Sequence, residues 1–272
     1  PRCGRLRGGD LRGRRRAAPA RRGPADRAAR LQIVDRIVAD LHRTYGDPLK
    51  AIALYGSLSR ATDGDFSDVE LWCVLTTPGV DKTEEWVYGP NKAEVNLYGE
   101  DVMRAGAVEV DSMWSLRQGE IINCRPLYGD RAFFLELQQL VMSPPKHAFD
   151  EVIAEMVIGE FFEWMGKLRN GVARNDLMFL PITTCNFTLH LALMAALLHR
   201  HIYSTSSTLM REALALPTLP DGYVELVGMV TVGNLHDKAK VAAAIERTFA
   251  GIGPWLAGHG ITFDERNAWP WK

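Results

Sequence analysis

Two apolar runs joined by a polar loop constrain the fold of this chain most. The runs cover residues 49–55 and 68–76, and Gly56-Ser57 opens the loop between them. Both runs have the length and the apolar content of buried strands. We therefore predict two strands with a glycine turn directly after the first.

The second run carries an acidic pair. Asp68 and Glu70 are two residues apart, so on a strand their side chains project from the same face. They alternate with Val69 and Leu71, and a carboxylate in such apolar surroundings needs a partner such as a metal ion. Mg²⁺ prefers oxygen ligands and commonly bridges a protein to substrate phosphates. Taken alone, the pair could also be a solvated strand face.

The turn before this strand is suited to phosphate. Glycine at position 56 permits close approach of the backbone, and the Ser57 hydroxyl and neighbouring amides can hydrogen-bond phosphate oxygens. A Gly-Ser turn alone is an ordinary loop. Combined with the acidic pair, it favours a metal-dependent site for phosphoryl chemistry.

The remaining patterns predict an α+β fold, in which a mixed β-sheet with flanking helices is followed by a C-terminal helical bundle. A hairpin is expected around Gly89-Pro90-Asn91, with Glu94 on its second arm. We place the domain boundary at Ser143-Pro144-Pro145. The other predicted strands span 84–88, 92–98 and 121–127; the predicted helices span 26–43, 100–108, 131–142, 147–169, 182–203, 206–214, 222–230 and 236–259.

The formal net charge of −1 hides an asymmetry along the chain. Residues 1–30 contain 11 Arg and two acidic residues, a local charge of +9, so the rest carries −10. An acidic body disfavours nucleic acid as a partner and favours a cationic substrate. Residues 1–26 are expected to be a disordered extension, with a nucleic-acid-binding arm as the alternative.

The cysteines and the hydropathy pattern indicate a location. Four scattered cysteines without CxxC spacing predict neither a zinc site nor a disulfide framework, which fits the reducing cytoplasm. The Arg-rich start lacks the apolar core of a secretory signal, and no membrane-spanning segment is expected. We therefore predict a cytoplasmic protein without a membrane partner.

A helix in the C-terminal half carries a second group of charged residues. Glu160, Glu163 and Lys167 are spaced three and four apart, so they share one helix face. An exposed salt bridge is the simplest interpretation, worth only about 0.3–0.5 kcal/mol. The phosphoryl site, however, requires a base and a phosphate-binding cation, and this face could supply both.

The run GSLSRATDGDFSDVEL resembles the signature of the DNA polymerase β-like nucleotidyltransferase superfamily. From about residue 33 to 255 the chain is similar to the aminoglycoside 4'-O-nucleotidyltransferases, the kanamycin nucleotidyltransferase family. The similarity is collinear, and it is carried by KAIALYGSLSRATDG, EEW, KAEVNLY, WSL, GEFFEWMGKLRN, FLPITT and LPDGY. It implies a nucleotidyltransferase domain at 27–143 and a helical substrate and dimer domain at 144–272.

The resemblance also implies roles for nucleotide and metal. Asp68 and Glu70 would hold Mg²⁺ as the metal cofactor of ATP. The nucleotide-binding residues would be Gly56, Ser57, Arg60, Ser67 and Lys167.

On the acceptor side, the resemblance implies that Glu163 is the general base that takes the proton of the antibiotic hydroxyl. The family works as a homodimer with shared sites, so Glu85 and Lys92 would approach from the neighbouring subunit. The substrate-binding residues would be Glu70, Glu85, Lys92, Glu94, Glu160 and Glu163. Gly159 stands where the family relative is acidic, which bears on drug specificity.

The predicted function is therefore transfer of AMP from Mg-ATP to the 4'-hydroxyl of aminoglycosides such as kanamycin and tobramycin, with release of pyrophosphate. One alternative is a nucleotidyltransferase of the same fold with a different acceptor. Another is a non-catalytic, antitoxin-like binding protein.

Overall fold

The computed structural model describes residues 26–263 of the chain. The predicted N-terminal extension therefore lies outside the described residues, except for Asp26. The five strands are β1 (Leu49–Leu54), β2 (Val69–Leu75), β3 (Asp81–Tyr88), β4 (Asn91–Gly99) and β5 (Arg125–Tyr128).

Helices precede, interrupt and follow the strands. The first six are α1 (Arg27–Tyr45), α2 (Gly56–Ser59), α3 (Glu100–Val108), α4 (Trp114–Arg117), α5 (Gly119–Ile122) and α6 (Arg131–Met142). The rest are α7 (Lys146–Met156), a π-turn (Val157–Phe161), α8 (Phe162–Arg174), α9 (Leu180–His199), α10 (Leu209–Ala213), α11 (Tyr223–Val232) and α12 (Lys238–Gly258). This order confirms the predicted α+β fold class.

The chain forms two compact units. The first contains residues 26–107 and 120–140 of the described chain, and the second contains 108–119 and 141–263. The division at residue 141 lies close to Ser143-Pro144-Pro145, but the segment 108–119 groups with the second unit. The functional assignment of two domains at 27–143 and 144–272 stays a prediction.

The first unit is built on one mixed sheet with strand order β3-β4-β2-β1-β5. Strand β2 pairs antiparallel with β1 on one side and parallel with β4 on the other. From Val69 to Leu75 every residue except Glu70 is buried. Because β2 pairs with a strand on each side, the sheet holds the backbone that carries Glu70 in place.

Helix α1 covers this sheet through an apolar stripe at helical spacing. Val34, Ile37 and Leu41 are buried in one cluster with side chains of β1, β2 and β4. Asp26 caps the helix, since its side chain accepts a hydrogen bond from the Ala29 amide at 2.7 Å.

One sequence-based element differs from the structure. The strand predicted at 121–127 is divided, because Gly119–Ile122 is helical and the strand begins only at Arg125. Ile121 is buried on that helical turn, and the Glu120 carbonyl accepts a hydrogen bond from the Trp72 indole at 3.2 Å. A short apolar run does not distinguish a strand from one buried helical turn.

The second unit is helical throughout its regular structure. The helix predicted at 147–169 consists of α7, the π-turn and α8, and it continues to Arg174. Phe161 ends the π-turn fully buried against Trp164 and Phe187.

Helix α9 is the central helix of the second unit. By length and composition only, Leu180–His199 could cross a bilayer. However, 67% of its apolar window is buried inside the chain, as in the core helix of a folded domain. One such helix is a weak indication of a membrane, and the cytoplasmic location stays a prediction.

Candidate active site

The glycine turn lies directly against a carboxylate of β2. Gly56 has a φ of +69°, a conformation that favours glycine. A Cβ at this position would also collide with the carboxylate of Glu70. Glycine is therefore favoured at residue 56 for two reasons, and it lets the Glu70 carboxylate lie beneath the turn.

Asp68 and Glu70 lie where β2 begins, as the sequence predicts. Both are half-buried. Burial raises the pKa of Glu70, and the negative charges of Glu94 and Asp68 raise it further. Arg60 acts in the opposite direction and lowers that pKa, which places its positive charge near the carboxylates. Such crowded carboxylates favour the binding of a cation.

Glu94 lies beside this pair because β2 and β4 run parallel. The register of the two strands sets Glu70 directly opposite Glu94. The sequence could place Glu94 on a strand, but the pairing itself comes from the sheet. Three carboxylates thus belong to one end of the sheet.

A hydrogen-bond network holds Glu94. The Tyr55 hydroxyl donates to the Glu94 carboxylate at 2.6 Å, and the Asn96 amide donates to the same oxygen at 3.0 Å. Asn96 also donates to the Tyr55 hydroxyl at 2.9 Å and accepts from Thr83 at 2.6 Å. Sequence reasoning missed both Tyr55 and Asn96. Their polar groups within buried strand positions were the available signal.

Lys92 completes this network within a single chain. Its ammonium donates to Glu94 at 2.7 Å and also pairs with Glu85. Burial alone would raise the pKa of Glu94, but the hydrogen bonds from Lys92 and Tyr55 outweigh it and hold that pKa below its ordinary value. The same two carboxylates raise the pKa of Lys92. Glu94 is therefore ionised at neutral pH.

The predicted nucleotide-binding residues of the first unit surround the glycine turn. Ser57 follows Gly56 in α2, and its carbonyl accepts a hydrogen bond from the Thr62 amide at 3.1 Å. The Ser67 hydroxyl accepts from the Gly64 amide at 2.9 Å, so it closes the loop just before Asp68. Ser67 thus has a structural contact in addition to its predicted role.

The remaining predicted residues belong to the second unit. Glu163 and Lys167 lie on α8, where the Lys167 ammonium donates to Glu163 at 2.5 Å. Their side chains are 60% and 59% exposed, so the pair has the geometry of an ordinary surface salt bridge. The salt bridge expected from the spacing is therefore present, and the catalytic role stays a prediction.

Glu160 has a different environment from Glu163. It lies in the π-turn and pairs with the Nδ1 atom of His190 on α9. The His190 ring also packs edge-on against Trp164. The sequence did not indicate this pairing, because it joins two helices that are separated along the chain.

The donor set at the start of β2 fits Mg²⁺ that arrives with a nucleotide. Among residues 26–263, no group of three Asp, Glu, His or Cys side chains is arranged to hold a metal ion. Mg²⁺ is commonly held by one or two carboxylates together with substrate phosphates, so Asp68 and Glu70 are sufficient on the protein side. The space beneath a Cβ-free Gly56 and the carboxylate repulsion at Glu70 agree with this chemistry.

A cavity of about 720 Å³ lies in the second unit. It is open to solvent and includes Arg169, Lys238 and Glu246 in its lining. Arg169 and Glu246 form two hydrogen bonds of 2.8 Å there. None of the predicted site residues lines this cavity.

Known proteins with similar sequences indicate which family this chain belongs to. The family described as KNTase C-terminal domain matches residues 131–262. Two curated proteins named aminoglycoside nucleotidyltransferase (4'), from Staphylococcus aureus and from Bacillus sp, are each 34% identical over 238 residues, which is 88% of this chain and 94% of theirs. The crystal structure of a nucleotidyltransferase-like protein from Exiguobacterium sibiricum is similar with a TM-score of 0.48 and 12% identity, over 88% of this chain and 77% of that one.

The chain is similar along most of its length to nucleotidyltransferases, and its glycine turn packs on a strand that carries a carboxylate. Together these observations define the chain as a nucleotidyltransferase. The match of a helical C-terminal family to residues 131–262 narrows the class further. The chain belongs to the aminoglycoside nucleotidyltransferase (4') family.

We expect Gly56→Ala to reduce nucleotidyl transfer by about 100-fold, since a displacement of roughly 1 Å at a reacting centre can have that effect. The new Cβ would meet the Glu70 carboxylate and force it or the turn to move. Steady-state rates of pyrophosphate release measure the effect. Gly106→Ala is the matched control, because a Cβ at Gly106 meets nothing within 4 Å. Equal rates for the two variants would show that the Gly56 contact is dispensable.

Proposed function

We propose that this enzyme transfers AMP from Mg-ATP to the 4'-hydroxyl of aminoglycosides such as kanamycin and tobramycin, and releases pyrophosphate. The observation that carries the proposal is the similarity to relatives named aminoglycoside nucleotidyltransferase (4'), along 94% of their length. It is supported by the carboxylates around the glycine turn.

The first unit would bind the nucleotide. Asp68 and Glu70 would hold Mg²⁺, whose positive charge would offset the charge that grows on the phosphoryl oxygens and on pyrophosphate. Ser57 and the turn after Gly56 would hydrogen-bond the triphosphate, with Arg60 and Ser67 nearby.

Acidic residues would bind the acceptor. An aminoglycoside carries several ammonium groups at neutral pH, and the chain outside residues 1–30 has a net charge of −10. Glu94 is ionised and held in place by Tyr55 and Asn96, so it is a suitable partner for an ammonium group. Glu85, Glu160 and Lys92 would complete the acceptor site. The same acidic charge disfavours nucleic acid as acceptor.

The reaction needs a group that removes the hydroxyl proton. In the proposed step the 4'-oxygen bonds to the α-phosphorus while the bond from that phosphorus to the bridging oxygen of pyrophosphate breaks. Glu163 would accept the proton of the hydroxyl, and Lys167 would neutralise phosphate charge. Exposed side chains on a helix can exchange their mutual salt bridge for these contacts at little cost, since such a pair contributes only about 0.3–0.5 kcal/mol.

The acceptor specificity is tested with a pyrophosphate-release assay in ATP and Mg²⁺. Kanamycin and tobramycin should support turnover, whereas dibekacin, which lacks the 4'-hydroxyl, should not. Equal turnover on dibekacin would contradict transfer to the 4' position. Nucleotide binding without pyrophosphate release, whatever the acceptor, would instead favour a binding protein.

Glu163→Gln should lower the turnover number by about 10²–10⁴-fold, because a positioned general base contributes that much. Antibiotic binding, measured by calorimetry, should be retained. Glu155→Gln is the matched control, since Glu155 is an exposed carboxylate on the neighbouring helix α7. A normal turnover number for Glu163→Gln would leave Glu163 with the salt bridge alone.

We also propose that the enzyme works as a cytoplasmic homodimer in which Glu85 and Lys92 serve the neighbouring subunit's site. Glu85 belongs to β3, an edge strand whose side chains are mostly exposed, and Lys92 belongs to the adjacent strand β4. Light scattering on purified protein should give twice the chain mass of 30.3 kDa. A monomer mass together with full activity would exclude shared sites.

A further inference from the structure

The segment between the glycine turn and the acidic strand is anchored by buried polar side chains. We call residues 60–68 the carboxylate loop, because it begins after α2 and ends at Asp68. The loop joins the Gly56-Ser57 turn to Asp68, the first of the carboxylates proposed to bind the metal. The contacts that fix the loop therefore bear on the separation of these two groups.

Helix α1 contacts the loop through two arginines. Arg30 donates to the Asp63 carboxylate at 2.5 Å, and the side chains of both residues are only 2% exposed. Arg27 pairs with the other oxygen of Asp63 and donates to the Leu58 carbonyl at 3.3 Å. Separating the buried carboxylate from its arginines would leave an unpaired buried charge, which is energetically costly. The ion pairs therefore fix the loop to the helix.

Strand β4 contacts the same loop from its first residue. Asn91 is 1% exposed, and its side-chain amide donates to the Asp65 carbonyl at 3.0 Å and to the Ser67 carbonyl at 3.2 Å. The second of these carbonyls belongs to the residue directly before Asp68. Asn91 thus connects the loop to the strand that also carries Glu94.

The two anchors converge on one atom. The Asp65 carbonyl accepts from Arg30 at 3.1 Å as well as from Asn91. From this convergence we infer that Arg30, Asp63 and Asn91 are positioning residues for the metal-binding carboxylates. They hold Asp68 at a fixed distance from the phosphate-binding turn, so that both can contact one metal-nucleotide complex.

This inference rests on the proposed binding of Mg-ATP at Asp68 and Glu70. Groups that orient metal ligands from behind typically change metal affinity or activity by about 10–100-fold when removed. None of the three side chains is exposed enough to meet substrate itself. Their effect must therefore act through the position of the loop.

The test uses Asn91→Ala, which removes two neutral hydrogen bonds and leaves no buried charge unpaired. The first measurement is Mn²⁺ affinity by electron paramagnetic resonance in the presence of α,β-methylene-ATP, which is not cleaved. The second is the turnover number and the KM for kanamycin. We expect the Mn²⁺ dissociation constant to rise and the turnover number to fall, each by about tenfold or more, with an unchanged KM for kanamycin.

Asp63→Asn provides a second variant, with Asp40→Asn as its matched control. Asp40 also pairs with an arginine, Arg43, but that pair is exposed on the outer surface of α1. Asp63→Asn should weaken Mn²⁺ binding, whereas Asp40→Asn should not. If Asp63→Asn does not fold, Asn91→Ala decides the question.

A lower melting temperature with unchanged Mn²⁺ affinity and turnover in Asn91→Ala would overturn the inference and leave these residues a purely structural role. Failure of the proposed function has a different signature. In that case the wild-type enzyme would not use kanamycin, while the Mn²⁺ measurement would still report on the loop.

Discussion

Negative charge concentrated at the start of β2 determines much of what surrounds it. Asp68, Glu70 and Glu94 lie together because β2 and β4 run parallel in register, and partial burial removes water that would screen them. The pKa values of the carboxylates on the two strands are shifted in opposite directions. Hydrogen bonds from Lys92 and Tyr55 outweigh the effect of burial on Glu94 and lower its pKa. Burial and the charges of Glu94 and Asp68 raise the pKa of Glu70, and a bound cation would offset this repulsion.

The supports of these carboxylates come from separate parts of the first unit. Helix α1 and the start of β4 hold the loop that leads to Asp68, while Tyr55, the residue directly after β1, hydrogen-bonds Glu94. Gly56 then leaves room for Glu70. The arrangement of these carboxylates is therefore a product of the sheet and its covering helix.

Local patterns were sufficient for part of this arrangement. The apolar run predicted β2 with Glu70 on it, although the strand begins at Val69 and Asp68 directly precedes it, and the helix at Arg131–Met142 was predicted with the observed bounds. Pairings distant along the chain were not predictable, because nothing in a single strand specifies its neighbour. For that reason the sequence did not reveal the contact of Arg30 with Asp63, or that of Glu160 with His190. The short helix at Gly119–Ile122 was missed because four residues are too few to show a helical period of apolar side chains.

The π-turn at Val157–Phe161 has a consequence for helical phase. Helices α7 and α8 continue through it with helical backbone angles at Val157 and Phe162. A π-turn accommodates one residue more than an α-helical turn, and each residue of an α-helix advances the direction of its side chain by about 100°. Deleting a single residue within the turn would therefore convert it into an α-helical turn and leave the direction of Glu163 and Lys167 relative to α7 almost unchanged. The orientation of that charged face is therefore preserved by the π-turn despite the additional residue in the chain.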